Sequence, residues 1–91
     1  MEYSVGQVVF AKSGHDSGMA FIITDMDEDF LYLTDGRNRT VDKPKKKKRK
    51  HVQVTNYSDA EIKNKLLNGE SLLDADFRKA LKRYSCQDRA Q

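Results

Sequence analysis

The residues able to do chemistry are concentrated in one stretch. From Lys43 to Lys50 the chain reads K-P-K-K-K-K-R-K, seven cations in eight positions. Lys43, Lys45, Lys46, Lys47, Lys48, Arg49 and Lys50 carry fixed positive charge, and the chemistry open to them is attraction of polyanions. The whole chain has 17 basic and 14 acidic residues, a net charge of +3. Without the seven cations of the run, ten basic residues stand against fourteen acidic ones, a net of −4. The protein is mildly acidic with one cationic segment: −5 over residues 1–42, +7 over 43–50 and +1 over 51–91.

Four readings of the run compete. As a phosphate-binding element it needs no exact spacing, because each lysine that neutralises a phosphate releases counterions, a driving force that falls with salt. As a nuclear import signal, Pro44 to Lys50 matches the monopartite basic pattern. As a membrane patch it lacks a neighbouring lipid site or amphipathic anchor. As a bare solvated loop it leaves seven packed cations repelling one another, which favours a bound polyanion. Pro44 biases the segment towards an extended backbone.

Other residues could assist. Lys12 and His15 lie in the polar stretch Lys12 to Gly18, where Lys12 can reach a phosphate and His15 can stack or donate a hydrogen bond. Arg37 and Arg39 flank Asp35-Gly36, and His51 follows the run. A catalytic constellation is missing. There is no P-loop and no histidine paired with a nucleophile motif, and His15, His51 and Cys86 have no metal-ligand spacing. Asp25, Asp27, Glu28 and Asp29 lack the alternating ligands, central glycine and closing glutamate of a calcium loop and read as a solvated turn. The expectation is a non-catalytic protein without metal, cofactor or small-molecule substrate.

The elements that hold these residues follow from composition and periodicity. Ninety-one residues make one small domain. Val5 to Ala11, Met19 to Thr24 and Phe30 to Thr34 are rich in β-branched and aromatic residues and predict three strands. The second is apolar on both faces, which places it at the centre of a sheet. Lys12 to Gly18 predicts a turn, and Asp35-Gly36 a tight type I′ hairpin returning as a fourth strand over Asn38 to Val41. His51 to Thr55 alternates with period two and predicts a fifth strand, so the run 43–50 is expected as a tethered loop between strands. Five short strands favour a small, partly open barrel, with Val8, Phe10, Phe21, Ile23, Leu31, Leu33, Val52 and Val54 as core residues and the face of each strand left open. Ser58-Asp59-Ala60-Glu61 reads as a capping box starting a helix that carries Ile62 and Leu66 on one face and ends at Asn68-Gly69. A second helix starts near Asp74 with a stripe of Phe77, Ala80, Leu81 and Tyr84 and an opposite face of Arg78, Lys79, Lys82 and Arg83, fraying from Cys86. The expected division is a barrel over residues 1–56, including the basic loop 43–50, and a tail of two short helices over 57–91.

A single cysteine excludes an intramolecular disulfide, M-E-Y-S-V-G is unlike a secretory leader, and the longest apolar run, Met19 to Ile23, is too short to span a bilayer. A reducing, cytoplasmic setting away from membranes is expected.

Val5-Gly6-Gln7-Val8-Val9, a polar loop, and Gly18 before an apolar strand resemble a KOW motif. The Asp35-Gly36 turn, then V-x-K-P-K-K-K-K-x-K-H from Val41 to His51 and a short helical tail, resemble bacterial KOW-domain RNA-binding proteins. Those are relatives of the archaeal and eukaryotic large-subunit ribosomal proteins of the fourteen-e, six-e and twenty-seven-e types. The resemblance covers residues 4–82. It implies an SH3-like barrel, binding of ribosomal RNA or action as a ribosome-associated factor in translation, and ribosomal proteins as possible neighbours. Relatives carry basic residues where this chain has His15 and Ser17, so here the proline–lysine segment bears the electrostatic weight. The expected contacts are Lys43, Lys45 to Lys48, Arg49, Lys50 and His51, with Lys12, His15, Arg37 and Arg39 fixing orientation. The rival readings are an SH3-like protein-interaction module and a nuclear protein with a basic import signal.

Overall fold

A computed structural model describes residues 3–12, 14, 15 and 17–89, the side chains of 87–89 excepted. Five antiparallel strands form one sheet: β1 (Gln7–Ala11), β2 (Ala20–Met26), β3 (Phe30–Thr34), β4 (Lys45–Lys48) and β5 (Val52–Ser58). Their order is β4-β3-β2-β1-β5, so β2 is central, as its two apolar faces predict. A 3₁₀ turn, Arg49–His51, joins the two outermost strands, and helices α1 (Ala60–Leu67) and α2 (Asp74–Arg89) follow.

Each face of the sheet buries its own cluster. Val9, Ala11, Phe21, Ile23, Leu31, Leu33 and Val52 form one, joined at its edges by Tyr3, Val5, Met19, Met26 and Val54. The cluster is built from one face of four strands and has no helix over it, so the sheet must curl around these side chains. Register shifts between Gln7 and Val9 and between Ile23 and Asp25 supply irregularities of the kind that bend strands. On the other face Val8 and Ile22 meet Ile62, Phe77 and Ala80 of the helices. The fold is mainly β, a small partly open barrel with a helical tail packed on its outside.

Alternation decides which residue of β1 faces inward. Val9 and Ala11 point into the barrel, Val8 packs under the helices, and Phe10 turns outward, its ring 6.2 Å from that of Tyr84. Val8 is thus buried as expected, but in the cluster beneath the helices, whereas Phe10 is half-buried on that outer side. Phe21, Ile23, Leu31, Leu33 and Val52 are buried inside as expected, with Val54 half-buried beside them.

The fourth strand is not at Asn38 to Val41. Asp35 is buried, and its Oδ1 accepts from the backbone amides of Arg37 and Arg39, both at 2.9 Å. The Arg39 carbonyl in turn accepts from the amides of Asp35 and Gly36, each at 3.1 Å. Farther on, the Val41 amide donates to Asp74 Oδ1 at 2.7 Å. Side-chain carboxylates have taken amides a ladder would need, and residues 35–44 become a connector docked on the start of α2. Gly36 has φ +78°, and a Cβ there would collide with the Asp74 carbonyl. The positive φ expected at this glycine is present, but it serves this connector rather than a two-residue hairpin.

The strand position goes instead to the lysine run. Lys45 pairs with Leu33, Lys46 with Tyr32, Lys47 with Leu31 and Lys48 with Phe30. The predicted loop is thus an ordered sheet edge, and its lysines are the residues that best discourage edge-to-edge association.

The helix start also shifts. Ser58 is the last residue of β5, paired with Gln7, and Asp59 is the N-cap, its Oδ1 accepting from the Ile62 amide at 3.1 Å. Asp59 is 1% exposed, and Arg83 of α2 donates to both of its carboxylate oxygens at 3.1 and 3.0 Å. That hydrogen bond is the main reason the Arg83 pKa is raised above its ordinary value. Glu61, the expected reciprocal partner in a capping box, instead pairs with Lys65 at 3.7 Å and Arg83 at 3.4 Å. At the other end Asn68 is the C-cap and Gly69 turns to φ +72°, as expected. The stripe of α2 is buried or half-buried as predicted, and the helix continues past Cys86 to Arg89.

Candidate functional site

A strand of four lysines alternates between two surfaces. Residues directly opposite in an antiparallel pair share a face. Lys45 and Lys47, opposite Leu33 and Leu31, lie on the barrel-interior side and are half-buried. Their methylene stems can cover apolar surface. Lys46 and Lys48, opposite Tyr32 and Phe30, are exposed on the outer side. The Lys46 ammonium sits 4.4 Å from the Phe30 ring centroid, a cation–π contact between diagonal neighbours. Phe30 and Tyr32 are both half-buried, so this outer face combines aromatic rings and cations.

Arg49 has a different role. Its Nε donates to the Asp27 carbonyl at 3.1 Å, and Nη2 donates to the same oxygen. Its backbone amide donates to the Asp29 carbonyl at 3.1 Å, and its carbonyl accepts from the Tyr3 hydroxyl at 3.2 Å. The guanidinium also lies 5.2 Å from the Tyr3 ring. These contacts bind the 3₁₀ turn to the β2–β3 turn.

Asp27 organises that turn. Its Oδ1 accepts from the amides of Asp29 at 3.0 Å and Phe30 at 2.8 Å, and Oδ2 accepts from the Tyr32 hydroxyl at 3.3 Å. The Asp27 pKa is lowered, chiefly by the Phe30 amide; the Asp29 amide, the Tyr32 hydroxyl and the Lys46 charge add to this, against a desolvation effect of opposite sign. The acidic stretch read as a solvated turn therefore also fixes the end of β3 that carries Phe30. A shallow groove opens beside it, lined by Glu28, Asp29, Phe30, Lys48, Arg49 and Lys50.

The remaining expected site residues fall into two groups. In the first, the Lys12 amide donates to the His51 carbonyl at 2.9 Å, and Lys12 and His15 are exposed. A Cβ on Gly14 would stand 3.4 Å from Lys47 Nζ, so the Lys12 to Gly18 turn approaches the inner lysine row. The turn is closed by the Gly18 amide donating to the Ala11 carbonyl at 2.8 Å; Ser13 and Asp16 lie outside the described residues. Arg37 and Arg39 belong to the docked connector. Arg37 is exposed beside α2, where it lines a second groove with Arg78, Lys79 and Lys82. Arg78 donates from Nη1 to the Gly36 carbonyl at 2.7 Å. Lys43, exposed, precedes β4, and its amide donates to the Thr40 carbonyl at 3.1 Å.

Phe30, Tyr32, Glu28 and Asp29 were not among the expected site residues. Their signal was the pairing of F-L-Y-L with K-K-K-K, which puts two aromatics and two lysines on one face once the fourth strand is moved to 45–48.

Among the described residues no group of three His, Cys, Asp or Glu side chains could hold a metal ion, and no helix is long and apolar enough to cross a membrane. The chain matches no protein-family model and no curated protein.

Proposed function

We propose that the protein is a non-catalytic RNA-binding module that grips the phosphate backbone with the outer row of its cationic edge strand. One observation carries the reading: the run is a strand, so its charges sit at fixed intervals. Residues two apart on one face of a strand are separated by about 6.6 Å, similar to the separation of successive phosphates along an extended single strand. Lys46 and Lys48 form that row, and Lys50 continues the exposed charge into the 3₁₀ turn. Contacts of this kind position a protein without reading sequence, so selectivity comes from RNA shape. The resemblance to KOW-domain proteins supports ribosomal RNA, and a cytoplasmic ribosome-associated factor, as the setting.

The test is crosslinking in cells, with sequencing of attached RNA and identification of the crosslinked peptide. Ribosomal RNA reads at one discrete site, attached through residues 43–51, are expected; the absence of RNA, or attachment elsewhere on the surface, refutes the reading. The position of β4 at the sheet edge favours one alternative, an acidic extended segment of a partner protein adding as a sixth strand. In that case the crosslink at β4 joins protein to protein.

A further inference from the structure

The phosphate row runs directly into the groove between the β2–β3 turn and the 3₁₀ turn, and the chemistry of that groove is not purely cationic. Phe30 provides an aromatic surface, Lys48 and Lys50 provide charge, and Glu28 and Asp29 bring carboxylates. Lys46, whose ammonium lies 4.4 Å from the Phe30 ring centroid, is not among the groove's lining residues. A duplex backbone would gain nothing from an aromatic wall and would be repelled by the carboxylates. An unpaired nucleotide satisfies all three: its base has a π-face for the ring, its phosphate takes the lysines, and its base edge can donate hydrogen bonds to carboxylates.

We propose that this groove holds one unpaired nucleotide of the bound RNA, with the base against Phe30, the phosphate at Lys48 and Lys50, and a donor-rich base edge at Glu28 and Asp29. The proposal rests on the RNA-binding reading and narrows its ligand to single-stranded or bulged RNA. Orientation follows from charge, since the phosphate is drawn to the lysines and repelled by the carboxylates. Guanine, which presents two adjacent N–H donors on its Watson–Crick edge, suits the carboxylates better than uracil, whose edge presents one. Arg49 shapes the groove but is held by the Asp27 carbonyl, so it acts as a positioning residue.

The experiment uses the full chain and fluorescence anisotropy with three labelled RNAs: an eight-residue uridine strand, the same strand with one central guanosine, and a blunt hairpin duplex. The guanosine strand is expected to bind tightest and the duplex weakest. Phe30→Leu keeps an apolar side chain at this half-buried position and removes the stacking surface. It should weaken binding of the guanosine strand about tenfold, the effect of losing one base stack, with a much smaller effect on the duplex. Glu28→Gln with Asp29→Asn should bring the two single strands to equal affinity. If Phe30→Leu binds the single strands like the wild type while salt still weakens binding, the nucleotide site is overturned and the phosphate row stands. If the wild type binds none of the three RNAs at low salt, both are overturned.

Discussion

Alternation along β4 divides the lysine run into two pairs that should not be equivalent. Substituting Lys46 and Lys48 with glutamine removes two exposed charges from the outer row, whereas substituting Lys45 and Lys47 changes two half-buried residues facing the barrel side. Each phosphate contact on a single strand contributes about −0.7 to the slope of log K against log salt. Lys46, Lys48 and Lys50 together give a slope of about −2, equivalent to roughly a 20-fold loss of affinity between 50 and 200 mM salt. Seven engaged cations would give about −5. The outer pair of substitutions should therefore move the slope to about −0.7, and the inner pair should leave it near the wild-type value. Glutamine keeps most of the side-chain stem, so neither variant should unfold, and circular dichroism confirms this in the same samples. The assay is anisotropy with a labelled single-stranded RNA over a salt series. Equal losses from the two pairs would refute the reasoning, because they would mean that the run behaves as a diffuse charge cloud. A wild-type slope near −5 would refute it from the other direction, because it would require Arg49 and the inner lysines to engage phosphate as well.

Three further outcomes follow from contacts that hold the site. Arg49→Lys retains the charge but loses the paired donation to the Asp27 carbonyl, so thermal unfolding should come earlier by several degrees, on the basis of about 1 kcal/mol for such a bond, with the salt slope of RNA binding unchanged. Asp59→Ala removes both the α1 cap and the partner of half-exposed Arg83, about 1 kcal/mol each after allowance for solvent, and should lower the melting temperature by about 10 °C; Asp59→Asn keeps the cap and should lose about half as much. Because the Asp27 pKa is depressed, its contribution is complete above the usual aspartate value of 3.8 and is lost as pH falls through the folded value. Carboxyl NMR should show Asp27 titrating below 3.8, and Tyr32→Phe should move that midpoint upward.

The barrel was readable because its interior strands obey rules that act locally. Phe21 to Ile23 is apolar on both faces, and a strand with that pattern belongs in the middle of a two-sided sheet. The α2 stripe at Phe77, Ala80, Leu81 and Tyr84 was likewise visible, because helical periodicity needs no knowledge of the partner. The start of α1 was less so: Ser58 and Asp59 are both good caps, and only the pairing of Ser58 with Gln7, together with the long-range approach of Arg83, selects Asp59. The fourth strand was illegible for a related reason. Asn38 to Val41 has adequate strand composition, but its neighbourhood is decided by Asp35 and by Asp74, the latter 33 positions away from the amide it takes.

The lysine run shows where charge and structure separate as signals. The expectation that it attracts polyanions rests on composition alone and does not depend on the fold. Its strand character could not be read directly, since period-two reading depends on a contrast between the faces, and four identical residues supply none. The contrast lies in the partner strand, where Leu31 and Leu33 alternate with Phe30 and Tyr32. Pairing with β3 thus imposes on four equivalent lysines a difference they do not carry themselves: two are drawn towards the barrel and two are displayed beside aromatic rings. If RNA is the ligand, its selectivity for unpaired bases originates in β3 and the β2–β3 turn, while its affinity originates in β4. Substitutions in the first group should change which RNA binds, and substitutions in the second how salt-sensitive binding is.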